Sequence, residues 1–198
     1  MLQAFAQVQT ATSEISTTSG TSASSTSVPN FQAVIAAAPG IPLEEYAPYL
    51  QHHPHVHLVS AATYPLLKHA YAALVTSGTA TLETALFGVP QVVCYHLKGG
   101  AIIRAIQPHF LNCRFISLVN LIADDEVVAV VPELIADHTH PQHIARHLLP
   151  LLDEKSDARQ AQLSGYVRVR AQLGTNLAPT EGAQRIVQHL RQTRCHHT

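Results

Sequence analysis

Ser77, Gly78, Thr79 and Glu83 are the residues whose types and spacing could do chemistry together. "AALVTSG" (72–78) is a strand-like run, "ATLETALFG" (80–88) a helix-like one, and the serine, glycine and threonine sit at the join. Glycine at such a junction lets a ligand approach the backbone closely, and the free N–H groups that open a helix attract phosphate. Ser77 and Thr79 add hydroxyl donors. The same three residues equally make an ordinary turn with a helix cap. Glu83, about one turn inside the helix, also has two readings. A carboxylate there gains roughly 0.3–1 kcal/mol from the helix dipole. It would repel a phosphate, so beside a phosphate site it suits the hydroxyls of an attached ribose, as the acidic residue of dinucleotide-binding folds does.

Neighbouring signatures narrow the chemistry. Val75 stands where G-x-S-x-G needs its first glycine, so Ser77 is not a nucleophile elbow. Neither a Walker lysine motif nor G-x-G-x-x-G occurs. Of 14 histidines, His52, His53, His55 and His57 form one cluster and His138, His140, His143 and His147 another. The i, i+4 spacing of His143 and His147 can chelate zinc or nickel. No H-E-x-x-H accompanies it, and surface histidines with no metal are the expectation. Asn120, in "FISLVNLIA" (115–123), reads from the residues alone as a turn-forming asparagine in a strand-end loop.

The elements that must position these residues alternate. Strands are expected within 31–40, 55–60, 72–78, 90–97 and 115–123, and helices within 42–50, 64–70, 80–88 and 100–112. Helices at 140–152, 155–174 and 178–194 complete the chain, with Gly174 as a C-terminal stop. Strands alternating with helices predict an α/β fold, a Rossmann-like doubly wound parallel sheet with C-terminal helices. In open sheets of this kind, ligands collect outside the carboxyl ends of the strands, where Ser77 to Thr79 fall.

Ahead of that unit, residues 1–9 read as a helix remnant and 10–29 as a Ser/Thr-rich disordered loop, leaving 30–198 as the domain. Net charge is −1 with 13% charged residues, which removes the electrostatic case for nucleic acid. No run of about 18 apolar residues and no signal peptide is read, and Cys94, Cys113 and Cys195 fit reduced thiols in the cytoplasm. "KGGAIIRAIQPHFLNCR" (98–114) mixes Ile102, Ile103, Ile106 and Phe110 with Lys98, Arg104 and Arg114. It reads as a core-facing helix or as a membrane-contacting one.

"LVTSGTATLETALFGVPQVVCY" with "FISLVNLIADDEVV" and "VPELIAD" resembles the C-terminal half of lipid-A-disaccharide synthase, over roughly residues 31–190. The resemblance implies an inverting GT-B glycosyltransferase that joins UDP-2,3-diacylglucosamine to 2,3-diacylglucosamine 1-phosphate. It would work without cofactor or metal, in the cytoplasm, with peripheral contact to the inner membrane. It implies that Ser77, Gly78 and Thr79 face the diphosphate, Glu83 the uridine ribose, and Asn120 the donor. It also implies that the first strand of this Rossmann unit and the N-terminal domain, with the catalytic base, are missing, which predicts marginal stability. Asp124-Asp125-Glu126 departs from the family, which usually carries an arginine there to pair with diphosphate. Two further readings are a UDP-sugar-binding remnant without catalysis, or one that acts through a partner chain, and a histidine-rich metal-binding module.

Overall fold

A computed structural model describes residues 31–76, 78–95, 115–123, 128–135, 139–174, 182–183 and 185–188. Among the described residues five strands run β1 (Ala33–Ala36), β2 (Val56–Val59), β3 (Ala73–Val75), β4 (Gln91–Tyr95) and β5 (Glu133–Ile135). Every pairing is parallel, in two groups: β1 with β2, and β3-β4-β5 in that order. The helices are α1 (Ala47–Leu50), α2 (Thr63–His69), α3 (Gly78–Leu86), α4 (Leu118–Ala123), α5 (Pro141–Leu148) and α6 (Asp157–Leu173). A 3-10 turn, Leu43–Tyr46, leads into α1. Another, Leu149–Leu152, follows α5 where Pro150 lacks the N–H that would continue the α ladder.

The fold class is the expected α/β one. β4 shows why two helical layers are needed: Gln91, Val92, Val93 and Cys94 are all buried, as in a parallel strand covered on both faces. Val92 and Cys94 pack with Leu134, Ile144, Ala145, Leu148 and Leu151 on the α5 side. Val93, one residue out of phase, packs with Ala85, Val119, Val130, Tyr166 and Val169 on the side of α3, α4 and α6.

One element differs in kind from the expectation. Residues 115–123 form no strand; Leu118–Ala123 is helix α4. Val119, Ile122 and Ala123 recur at helical spacing and face the same core cluster. Glu133 then satisfies the N–H groups ahead of the helix, accepting from Ile116 N at 2.9 Å and Ser117 N at 3.0 Å. The third strand of this group is instead β5, inside "VPELIAD".

Helix α6 is well specified. Ser156 caps it, accepting from Arg159 N at 3.2 Å, and Gly174 ends it with φ 68°, a positive φ that favours glycine. Within it Gly165 lies so close to Val130 that an added Cβ would meet Val130 Cγ1 at 2.5 Å. The expected elements at 1–29 and 98–112 lie outside the described residues. Of the last expected helix, residues 182–183 and 185–188 are described, and they are helical.

Candidate functional site

β3 ends at Val75 and α3 begins at Gly78, so the expected junction is a strand carboxyl end that feeds a helix N-terminus. Among the described residues nothing lies within 4 Å of the position a Gly78 Cβ would occupy. Among those residues the glycine therefore leaves open room beside the start of α3, where helical N–H groups point outwards. Thr79 is exposed on the first turn. Ser77 lies outside the described residues, as does the acidic stretch 124–127.

The inner face of α3 holds this end in place. Thr81 and Thr84 are buried and bond back to Gly78 O at 2.5 Å and Ala80 O at 2.7 Å. Gln91, at the start of β4, donates from Nε2 to Thr81 O at 2.9 Å. Its own backbone is held by Gln162 of α6, whose Oε1 accepts from Gln91 N at 2.9 Å and whose Nε2 donates to Gln91 O at 3.0 Å. β5 pairs with β4 only from Val93 onward, so the Gln162 amide takes the place of a neighbouring strand at Gln91. Tyr166 Oη, 3.1 Å from Val89 O, closes the network, and burial pushes its phenol well above the ordinary range.

Glu83 is partly exposed on the second turn of α3, with no acidic residue in the first turn. The helix-dipole effect fades within the first turn, so the dipole reading of Glu83 loses its support. Tyr64 of α2 donates from its hydroxyl to Glu83 Oε1 at 3.4 Å, and its ring stacks on Phe87 at 5.6 Å between centroids. Tyr64 is reached through Ala61, which has φ 52°, a left-handed conformation uncommon outside glycine. Sequence reasoning missed Tyr64. Its only signal was an aromatic residue shortly after a strand's carboxyl end.

Asn120 sits elsewhere in the hydrogen-bond scheme. It is 2% exposed. Nδ2 donates to Val131 O at 2.9 Å and Glu133 Oε1 at 2.7 Å, and Oδ1 accepts from Val131 N at 3.0 Å. Ser117 Oγ donates to the same Glu133 oxygen at 2.6 Å. The side chain expected at the donor thus ties α4 to the segment before β5. α4 packs on α3 through Val119 and Ala85, so this tie supports the site helix from behind. Glu133 was not singled out from the sequence, because its partners lie 13 to 17 positions away.

Among the described residues no group of three or more His, Cys, Asp or Glu could hold a metal ion. His140 and His143 make an edge contact at 6.3 Å, and burial holds His147 below the usual imidazole value. Among the described residues no helix is long and apolar enough to cross a membrane.

Comparison of the sequence with known proteins finds a family match. The family model for lipid-A-disaccharide synthetase covers residues 23–185. Lipid-A-disaccharide synthase of Anaeromyxobacter sp. strain K is 34% identical over 161 residues, 80% of this chain and 40% of the relative. The synthase of Syntrophus aciditrophicus is 40% identical over 121 residues, 61% of this chain and 30% of the relative. That of Pseudomonas aeruginosa is 40% identical over 99 residues, 50% of this chain and 25% of the relative. The chain spans 40% or less of the length of these relatives.

Proposed function

Because the chain belongs to the lipid-A-disaccharide synthetase family, we propose that it forms the donor-nucleotide side of a lipid A glycosyltransferase. The donor is UDP-2,3-diacylglucosamine and the acceptor 2,3-diacylglucosamine 1-phosphate. The observation that carries the reading is the room that the described residues leave open beside Gly78 at the start of α3, with Glu83 one turn further in and held by Tyr64.

In the reaction, the acceptor hydroxyl attacks the anomeric carbon, the bond to the diphosphate breaks, and UDP leaves with the electron pair. Ser77, Gly78 and Thr79 with the α3 N–H groups stabilise the charge that develops on the departing diphosphate. Glu83 accepts hydrogen bonds from the ribose hydroxyls. Tyr64 occupies one carboxylate oxygen and leaves the other to the sugar. Asn120 contributes by holding α4 and the segment before β5 against α3. The base that takes the acceptor's proton is assigned to polypeptide outside the described residues.

A narrower reading is binding of the donor without turnover, since no base is assigned among the described residues. Titration calorimetry with UDP, beside Glu83→Ala, tests the shared premise. Saturable binding weakened about tenfold by the substitution supports the site, at roughly 1.4 kcal/mol per tenfold. Binding that Glu83→Ala leaves unchanged removes Glu83 from it. Product formation from both acylated sugars separates turnover from binding alone.

A further inference from the structure

Glu83 and Phe87 are four residues apart, one turn apart on the same helix face, and Phe87 N donates to Glu83 O at 3.0 Å. Tyr64, the second residue of α2, reaches both of them. Its ring stacks on Phe87 at 5.6 Å with 19° between the planes, and its hydroxyl donates to Glu83 Oε1. The approach to α2 passes through Ala61 at φ 52°, and Leu66 N closes the first turn on Ala62 O at 2.9 Å. Tyr64 is 56% exposed and Phe87 43%, so this placement is made on the surface, with the partly exposed carboxylate beside it.

At 3.4 Å the Tyr64 contact is long for an O–H···O bond, and an exposed bond of that kind contributes little to stability. Its effect is on orientation. With the phenol O–H turned to Glu83, the lone pairs of Tyr64 Oη remain as acceptors. Donation to a carboxylate polarises the hydroxyl and strengthens it in that role. Bonds that are long without ligand tighten when a substrate closes over them.

Ribose offers two hydroxyls on adjacent carbons. A carboxylate standing alone can accept both, one on each oxygen. Here Oε1 already has Tyr64 as a donor. Resting on the donor-site reading above, we infer that the two hydroxyls are divided between two side chains. One donates to Glu83 Oε2, and its neighbour donates to Tyr64 Oη. Tyr64 thereby becomes a substrate-contacting residue that determines specificity, with its ring held in place by Phe87. The two hydroxyls then differ in weight, because a bond to a charged acceptor is roughly twice as strong as one to a neutral acceptor. Loss of the hydroxyl on Glu83 should weaken binding about tenfold or more, and loss of the one on Tyr64 about two- to fivefold. A carboxylate that took both hydroxyls itself would weight them alike.

The test is a cycle in titration calorimetry. UDP, 2′-deoxy-UDP and 3′-deoxy-UDP are each titrated into the full chain and into Tyr64→Phe, which keeps the ring and its stack on Phe87. With the unsubstituted chain, one deoxy analogue should bind about tenfold or more weaker than UDP and the other about two- to fivefold weaker. In Tyr64→Phe the smaller loss should vanish, so that this analogue and UDP bind alike, while the larger loss remains. A smaller loss that persists in Tyr64→Phe overturns the inference. So do equal losses for the two analogues with the unsubstituted chain. In both cases UDP binding that Glu83→Ala weakens leaves the donor-site reading standing. Absence of UDP binding, or binding indifferent to Glu83→Ala, overturns that reading and the inference with it.

Discussion

Replacing Gln162 by leucine should destabilise the fold more than its exposure-free, uncharged character suggests. The Gln162 amide makes two hydrogen bonds to the backbone of Gln91, at 2.9 Å and 3.0 Å, where no strand of β5 reaches. Leucine fills a similar volume but leaves the Gln91 N–H and C=O buried without partners, at about 1–3 kcal/mol each. Two such groups give roughly 2–6 kcal/mol, and burying leucine in place of an amide returns at most ~2 kcal/mol. With that full return the expected net loss is about 0–4 kcal/mol, against the ~5–15 kcal/mol that holds a typical domain together. Urea unfolding followed by far-ultraviolet circular dichroism reads the loss. Exchange of the Gln91 amide locates it. A loss under about 1 kcal/mol, with Gln91 exchange unchanged, would falsify the view that this side chain substitutes for a strand.

Gly165→Ala should destabilise although alanine is the better helix former by ~1 kcal/mol, because the new methyl group meets Val130 at 2.5 Å. Combining it with Val130→Ala should reverse the sign relative to Val130→Ala alone, and a stabilising single substitution in urea titrations would contradict the close approach. Tyr64→Phe should weaken UDP by about two- to fivefold, the loss of one net hydrogen bond of ~0.5–1 kcal/mol, while leaving the urea midpoint nearly unchanged. Equal affinity of both proteins in calorimetry would detach Tyr64 from the site. Cys94 is buried, and burial pushes its thiol from 9.0 up to about 11. The unfolded chain therefore loses this proton first as pH rises. The stability tied to the neutral thiol is complete below about pH 9 and falls away towards pH 11. Cys94→Ala should flatten that fall, and alkylation of native Cys94 at pH 8 should be negligible.

Local signals in the chain carried much of this structure. The runs at 72–78 and 90–97 are apolar enough to mark strands, and Gly174 marks the end of α6 in either description. "FISLVNLIA" was misleading for a physical reason. An apolar stretch of strand-like length, without charge, looks alike as a buried strand and as a short buried helix. What decides for the helix is Glu133, more than a dozen positions on, and no local pattern contains it. The same holds for the proposed site. Gly78 and Glu83 are candidates by spacing, whereas Tyr64, Gln91 and Gln162 matter through contacts between segments 10 to 71 positions apart.

The Gln162 contact also has an order in time. During synthesis β4 emerges 71 residues before the side chain that completes its backbone pairing. At about 5–20 residues per second, that is a wait of roughly 4 to 14 s. Through that interval the nascent strand has an uncovered stretch at Gln91, and the helix that carries the proposed donor site has only part of its support. Maturation of the site is therefore timed by the ribosome's passage through α6, long after the residues at residue 78 and residue 83 have been made.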